Sequence, residues 1–136
     1  MPSLGTSSLA QLETCDPRLV SLFQEVVKRY DCQVIQGARS IEDEKADIAK
    51  GVSHLMNPMN SKHVVDSETR PLALAVDVAP YPIDWGKSGR FCHFAGYVEK
   101  TAEVMGIPIR WGGEWNGTWN KPGQLDDLDH FELKET

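Results

Sequence analysis

An aspartate stands inside a run of apolar residues, at Asp77 in the segment 72–80. A carboxylate is costly to bury as an ion unless it is paired, hydrogen-bonded or bound to a metal, so Asp77 needs a partner. His63, which precedes it in the chain, and His130, near the C-terminus, are candidates. Two imidazoles, one carboxylate and an open fourth position form the ligand set of a catalytic zinc site. The alternative is ordinary surface or core histidines, because 4 histidines and 20 acidic residues offer many chance combinations.

Acidic residues stand directly before His130 and extend the possible chemistry. A carboxylate beside a metal site can take the proton of a reacting water molecule, and Asp126, Asp127 and Asp129 are all candidates for this role. If residues 130–133 form a β-strand, the alternation of side chains points Asp129 away from His130. The preceding turn then places Asp126 and Asp127, and spacing does not decide between them.

The elements that must position these residues are predicted from hydrophobic periodicity and from capping residues. Three helices are predicted: one beginning at Asp16-Pro17, one capped by Ser40 and ending at Gly51, and one over about 91–105 that ends at Gly106. Strands are predicted at 33–36, 72–80, 107–111 and 130–133. Because helices and strands do not alternate regularly, this order favours an α+β fold with a small, mainly antiparallel sheet and flanking helices.

Length and composition bound the remaining possibilities. A chain of 136 residues, 40% hydrophobic and 25% charged, predicts a single domain over residues 1–136. The formal net charge of −6 argues against a nucleic-acid partner, which requires a basic face. We expect no membrane insertion and no signal peptide, because the chain lacks both a long apolar run and a basic, then apolar, N-terminal segment. Three cysteines without CxxC spacing predict neither a disulfide framework nor a thiolate metal site.

Five short segments occur in an order and spacing that resemble those of the M15 peptidases. They are VIQGARS (34–40), SKH (61–63), LAVDVAPYPIDW (74–85), IRWGGEW (109–115) and DLDHFEL (127–133). The shared pattern is S-x-H, then A-x-D, then an acid three residues before the last histidine. The family groups phage L-alanyl-D-glutamate endopeptidases with bacterial D-alanyl-D-alanine carboxypeptidases and dipeptidases. The resemblance covers about residues 15–133 and is greatest to the small single-domain phage endolysins.

The resemblance implies a hedgehog/DD-peptidase-like zinc peptidase fold with one zinc ion per chain. His63, Asp77 and His130 match the family's zinc ligands. Asp127, three residues before His130, matches the general base that later acts as an acid. Arg39, in the G-x-R-[ST] segment, matches the cationic residue that neutralises charge on the substrate carbonyl or the developing oxyanion.

Several of these residues also have a structural interpretation. Arg39 can form an ion pair with the acidic cluster 42–44, and Ser61, the first residue of S-x-H, can be an ordinary loop hydroxyl instead of a substrate-binding group. Trp111 is expected in an aromatic wall of the substrate cleft, with core packing as the alternative. Trp115 and Trp119 share that expectation, whereas His54 and His93 have no family counterpart and are interpreted as surface or helix-packing residues.

The chain departs from the family pattern between its first histidine and its aspartate. Family members commonly place the aspartate seven residues after the histidine with a glycine between them, whereas here the separation is twice as long and Asp66 occupies the glycine position. Asp66 or Glu68 is therefore an alternative ligand. Asp77 is preferred because its flanks match and because a strand holds a ligand more rigidly than a loop. The insertion within 66–74 is interpreted as a surface loop, with a lid or second cation site as alternatives. A second departure is Glu44, where glutamine is frequent.

The resemblance therefore implies a zinc-dependent peptidoglycan peptidase of the phage endolysin type. It is expected to cleave the L-alanyl-D-glutamate bond of the stem peptide and to cause host cell lysis. The alternatives are a D-alanyl-D-alanine carboxypeptidase and a catalytically silent zinc-binding or wall-binding module. We expect a monomer without a separate cell-wall-binding domain. It would wait in the host cytoplasm until another protein permeabilises the membrane, and then act on the periplasmic peptidoglycan.

Overall fold

Four α-helices and four β-strands are described in a computed structural model, which covers residues 2–50, 61–114 and 127–134. The helices are α1 (Thr6–Leu12), α2 (Pro17–Val26), α3 (Ile41–Ala49) and α4 (Ser88–Met105). The strands are β1 (Cys32–Gln36), β2 (Ala75–Pro80), β3 (Ile109–Trp111) and β4 (His130–Leu133), and a short 3-10 helix spans Gly112–Glu114. Together they confirm the predicted α+β class.

Helix ends follow the capping residues that the sequence provides. The carboxylate of Asp16 accepts a hydrogen bond from the backbone N–H of Arg18 at the start of α2. The hydroxyl of Ser40 accepts from the N–H of Asp43 at the start of α3, as predicted. Helix α4 begins three residues earlier than predicted and ends at Gly106. The φ of Gly106 is 73°, the left-handed conformation that glycine adopts without strain. Gly51, the predicted end of α3, lies outside the described residues.

The four strands form one antiparallel sheet in the order β1-β2-β4-β3. Strand β4, the last along the chain, lies between β2 and β3. Its register places Asp77 of β2 directly opposite His130 of β4. This central pairing brings together two residues that are far apart in the sequence.

Alternation of side chains gives the sheet two different faces. Val76 and Val78 of β2 and Phe131 of β4 point into the hydrophobic core. Phe131 makes edge-to-face ring contacts with Phe23 of α2 and Phe94 of α4, so these helices cover this face. The intervening residues of β2 and β4 point to the opposite face, which is therefore where Asp77 and His130 meet.

Helix α1 was not predicted, and it packs against β1, which is an edge strand. Its sequence, TSSLAQL, is largely polar and too short to show helical periodicity. Ser8 lies in this helix, is buried, and accepts a hydrogen bond from the N–H of Val34. The helix thus covers backbone groups that an edge strand otherwise leaves unpaired.

Within the described part of the chain, no helix is both long enough and apolar enough to cross a membrane.

Candidate metal centre

His63, Asp77 and His130 converge on one point, as the sequence predicts. The Nε2 atom of His63 lies 3.2 Å from Asp77 Oδ1 and 3.2 Å from His130 Nδ1. His130 Nδ1 lies 3.3 Å from Asp77 Oδ1. Four-coordinate zinc with bonds of about 2.1 Å separates its ligand atoms by about 3.4 Å, so this spacing suits a metal ion.

Hydrogen bonds on the far side of each imidazole determine which nitrogen is available. His63 Nδ1 lies 2.7 Å from the carbonyl oxygen of Gly37, and His130 Nε2 lies 2.9 Å from Glu132 Oε1. Carbonyl and carboxylate oxygens only accept, so these two nitrogens donate. Neutral rings in this arrangement direct both remaining lone pairs toward Asp77. Three acceptor atoms then face one another, and a cation is the partner that satisfies all three.

Glu132 also connects the two segments that carry the histidines. Its other oxygen, Oε2, lies 3.0 Å from the ammonium group of Lys62, the residue next to His63. Lys62 Nζ in turn donates to the carbonyl oxygen of Leu133, at 2.6 Å. The loop before His63 and the end of β4 are therefore held together beside the site.

Electrostatics favour an ionised Asp77 and a proton or cation beside it. Burial alone raises the pKa of the Asp77 carboxyl, but the imidazoles of His130 and His63 beside it outweigh this effect and hold that pKa well below its usual range. Burial lowers the pKa of His130, yet its hydrogen bonds to Asp77 and Glu132 raise it to about 9. A positive charge, either a proton or a metal ion, is therefore favoured beside Asp77.

The alternative ligands Asp66 and Glu68 do not join this cluster. Among the described residues, neither belongs to a group of ligand-type side chains that come together. The carboxylate of Asp66 accepts instead from the N–H of Glu68 at 3.0 Å and from the hydroxyl of Thr69 at 2.9 Å. Asp66 and Arg70 also form an antiparallel bridge, so the inserted segment closes on itself. A role of this loop as a lid or second cation site stays a prediction.

Asp127, the predicted base, lies beside the cluster. Its Oδ2 is 3.9 Å from His130 Nδ1, and its side chain is 43% exposed. Carboxylate oxygens of Asp77, Asp127 and Asp129 all lie within 4.8 Å of one another. Asp127 is thus both close to the three converging side chains and exposed to solvent.

The expectation that Asp129 points away from the site was wrong. Strand β4 begins at His130, and Asp129 lies in the turn before it, so strand alternation does not extend to this residue. Burial, followed by a hydrogen bond with Asp127 and the charges of Asp77 and Asp127, raises the pKa of Asp129. Asp126, the other candidate base, lies outside the described residues.

Two residues of the segment 111–113 hold the turn that carries Asp127. Trp111 is buried, with 3% of its surface exposed, and its indole N–H donates to the carbonyl oxygen of Leu128 at 2.8 Å. At Gly112 a Cβ atom would overlap the carbonyl oxygen of Asp127, so only glycine permits this close approach. Trp111 therefore packs in the core, which was the alternative interpretation, and its role in substrate binding stays a prediction. Trp115 and Trp119 lie outside the described residues.

Arg39 forms the ion pair that was the alternative to a catalytic role. Its guanidinium donates to Glu44 Oε2 and to Gln36 Oε1, both at 2.7 Å. Glu44 is fully buried, and Gln36 is the β1 partner of Asp77, so Arg39 is bonded to the residue that lies opposite Asp77 in the sheet. The backbone of Arg39 also bonds to the carbonyl oxygen of His63. The pair holds Arg39 near the site, and the action of Arg39 on a substrate stays a prediction.

Ser61 and His93, two further residues that the sequence singled out, both make hydrogen bonds within the protein. Ser61 is buried, and its carbonyl oxygen accepts a hydrogen bond from Arg70 at 2.7 Å. A substrate contact of its hydroxyl stays a prediction. His93 lies on α4, where Nδ1 is 2.7 Å from the hydroxyl of Tyr30, in agreement with a helix-packing residue. His54 lies outside the described residues.

A sheet that brings two histidines, an aspartate and an accessible acid together has the layout of a metal-dependent hydrolase. Residues 2–134 match the protein family described as phage L-alanyl-D-glutamate peptidase. The chain belongs to this family, and it is an enzyme of the peptidase class.

Two individual relatives agree with this assignment. In an alignment 138 residues long, the chain is 31% identical to the L-alanyl-D-glutamate peptidase of Escherichia phage T5, and this alignment covers 95% of this chain and 96% of that protein. It is 26% identical to the Serratia marcescens L-Ala D-Glu endopeptidase ChiX, whose crystal structure superposes with a TM-score of 0.74. That superposition covers 96% of this chain and 90% of the other. The resemblance to M15 peptidases is confirmed.

Proposed function

We propose that the protein is a zinc-dependent peptidoglycan peptidase that hydrolyses the L-alanyl-D-glutamate bond of the stem peptide. The observation that carries the proposal is the convergence of His63, Asp77 and His130, in which each imidazole directs its acceptor nitrogen toward Asp77. Membership of the phage L-alanyl-D-glutamate peptidase family supports the choice of bond. The donor set of two neutral imidazoles and one carboxylate is typical of catalytic zinc.

His63, Asp77 and His130 are the residues that would hold the zinc ion. When bound, zinc lowers the pKa of water toward neutrality and polarises the scissile carbonyl. Asp127 is the residue that accepts the proton of the attacking water and then delivers it to the leaving amine of D-glutamate. Its accessibility and its 3.9 Å distance from His130 Nδ1 support this role over the more buried Asp129.

Arg39 is the residue that neutralises negative charge on the substrate. Its hydrogen bonds to Glu44 and Gln36 hold the guanidinium in one orientation, and the buried carboxylate offsets part of its positive charge. An oriented cation stabilises a developing oxyanion without reorganising during the reaction. Ser61 completes the proposed substrate site through its hydroxyl, whereas the buried Trp111 supports this site from the core through its hydrogen bond to Leu128.

In a cell, the protein would act as a phage endolysin that causes host lysis. We propose that it accumulates in the host cytoplasm as a monomer and acts on periplasmic peptidoglycan after a separate protein permeabilises the membrane. The catalytic domain predicted over residues 1–136 would itself recognise the wall. The family assignment supports this interpretation.

The proposal is tested by measuring new amino groups released from purified peptidoglycan, before and after zinc removal by a chelator. We expect activity to be lost on chelation and restored by added zinc. His130→Ala should be inactive, whereas His93→Ala, which changes a histidine bonded to Tyr30 on the helical side, should remain active. Activity that survives chelation or His130→Ala would contradict the metal mechanism. Mass spectrometry identifies the bond, because release of a single terminal alanine would instead indicate a D-alanyl-D-alanine carboxypeptidase.

A further inference from the structure

Three side chains at intervals of three residues connect α1 and the turn after it to β1 and its continuation. Ser8 Oγ accepts from the N–H of Val34 at 3.0 Å, and Gln11 Oε1 accepts from the N–H of Gly37 at 3.1 Å. Thr14 Oγ1 accepts from the N–H of Ala38 at 2.8 Å. These contacts follow the chain as it leaves the sheet and approaches the metal centre.

Gly37 is the residue at which this row of contacts meets a proposed metal ligand. Its N–H donates to Gln11, and its carbonyl oxygen accepts from His63 Nδ1 at 2.7 Å. A Cβ atom at this position would overlap the carbonyl oxygen of Gln11 and the hydroxyl of Thr14, so α1 is pressed closely against the Gly37 backbone. The position of this carbonyl is therefore determined by the N-terminal helix.

The Thr14 hydroxyl links the N-terminal segment to the chain after β1, because it both donates and accepts a hydrogen bond. It donates to the carbonyl oxygen of Gln11 at 2.6 Å while it accepts from the N–H of Ala38. Gln11 and Thr14 thus hold consecutive backbone amides, at Gly37 and Ala38. Any displacement of these amides also moves the carbonyl group to which His63 donates.

We propose that Gln11 and Thr14 are positioning residues for the metal centre, acting through the Gly37 backbone on the ring of His63. They hold the Gly37 carbonyl where it keeps the proton on Nδ1 and directs Nε2 toward Asp77 and His130. A hydrogen bond on the far nitrogen fixes the tautomer and orientation of a metal-binding imidazole, and its loss commonly weakens metal binding about 10–100-fold. The inference rests on the proposed metal-binding function.

The experiment compares the zinc affinity of purified variants by competition with a chromophoric chelator. The double variant Gln11→Ala/Thr14→Val, which removes both acceptors, should bind zinc at least about 10-fold more weakly than the parent. Ser8→Ala is the matched control, because it removes a similar contact from the same helix at Val34, three residues before Gly37. Its zinc affinity should stay within about twofold of the parent's. Thr14→Ser, which keeps a hydroxyl, should also bind zinc like the parent.

A second measurement separates this inference from the proposed function. The imidazole ¹⁵N chemical shifts of the metal-free protein report which nitrogen of His63 carries the proton. We expect Nδ1–H in the parent and in Ser8→Ala, and a mixture of tautomers in the double variant. If the parent binds no zinc but the tautomer of His63 still changes in the double variant, the proposed zinc function fails. The role of Gln11 and Thr14 in positioning the His63 ring then still stands. Unchanged zinc affinity and an unchanged tautomer in a folded double variant would overturn the inference.

Discussion

His130 and Glu132 form a hydrogen bond of 2.9 Å between Nε2 and Oε1, two residues apart on one face of β4. The same carboxylate reaches Lys62, beside His63, so it contacts one histidine and the immediate neighbour of the other. A carboxylate of this kind increases the basicity of a metal-binding imidazole and holds its ring in place. Glu132 therefore belongs to the site, although its role was not predicted from the sequence.

Glu132→Gln should weaken zinc binding about 10–100-fold, because an amide oxygen accepts from His130 less strongly and no longer pairs with Lys62. Titration against a competing chelator measures this change. Glu103→Gln is the control, since Glu103 pairs with Lys100 on the exposed surface of α4. Equal zinc affinities for the two variants would contradict the role assigned to Glu132.

Asp127→Asn should lower the rate of peptidoglycan hydrolysis about 10²–10⁴-fold, the usual contribution of a general base, while zinc binding changes little. The reason is that Asp127 lies beside the group of His63, Asp77 and His130 but is not one of these three converging residues. Initial rates of hydrolysis with saturating zinc check the loss of activity, and the metal content of the purified variant checks that zinc binding is retained. A variant that loses activity only because it loses zinc would show instead that Asp127 is a ligand.

Arg39→Ala should lose both activity and stability. Glu44 is fully buried, and removal of one partner of a buried ion pair typically destabilises a protein by about 3–5 kcal/mol. Denaturant unfolding measures the loss. Lys100→Ala provides the comparison, because its pair with Glu103 is exposed and its removal should change the free energy of unfolding by less than about 1 kcal/mol. A loss at Arg39 no larger than that at Lys100 would contradict a structural contribution of the pair.

Gly112→Ala should displace the turn that carries Asp127, since the added methyl group overlaps its carbonyl oxygen. We expect a loss of about 1–3 kcal/mol in the free energy of unfolding and reduced activity of the folded enzyme. Gly96→Ala is the matched control, because a Cβ at this exposed site in α4 meets nothing within 4 Å. Alanine is the better helix former, so Gly96→Ala should stabilise the protein by about 0.5–1 kcal/mol. The changes in the free energy of unfolding should therefore have opposite signs in the two variants, as measured by denaturant unfolding.

The cap of α2 predicts a specific dependence on pH. Hydrogen bonds from Arg18 hold the pKa of Asp16 below its ordinary value. A carboxylate whose pKa is lower in the folded state stabilises the fold above its unfolded pKa of about 3.9, and this stabilisation disappears as the pH falls through the folded value. Asp16→Asn keeps a capping side chain without this ionisation, so its stability should fall less between about pH 7 and about pH 3 than the parent's. Asp16→Ala should lose about 1 kcal/mol at neutral pH, measured by denaturant unfolding.

Much of the fold and the central triad could be predicted from the sequence because they depend on local patterns. Periodic apolar residues and caps located α2, α3 and α4, and a single aspartate in an apolar run singled out Asp77. The position of this aspartate opposite His130 depends on strand register, which no local pattern specifies.

The unpredicted features depend on contacts between distant segments. Helix α1 is short and polar, and its packing is recognisable only once β1 is known to be an edge strand with N–H groups to cover. The location of Asp129 depends on β4 beginning at the next residue. The role of Glu132 could have been predicted from one feature of the sequence. It follows the candidate ligand His130 by two residues on a predicted strand, and residues with this spacing share a face.

The central place of β4 has a consequence for folding kinetics. His63 and His130 are 67 residues apart in the sequence. The side chains of these two histidines can meet only after β4 has paired with β2 and β3. Such long-range pairings close large loops and form slowly compared with helices. A metal ion that needs both histidines binds the finished sheet and not the partly folded chain, so it stabilises only the native state. Uptake of the ion during refolding would therefore lag behind the appearance of helical structure.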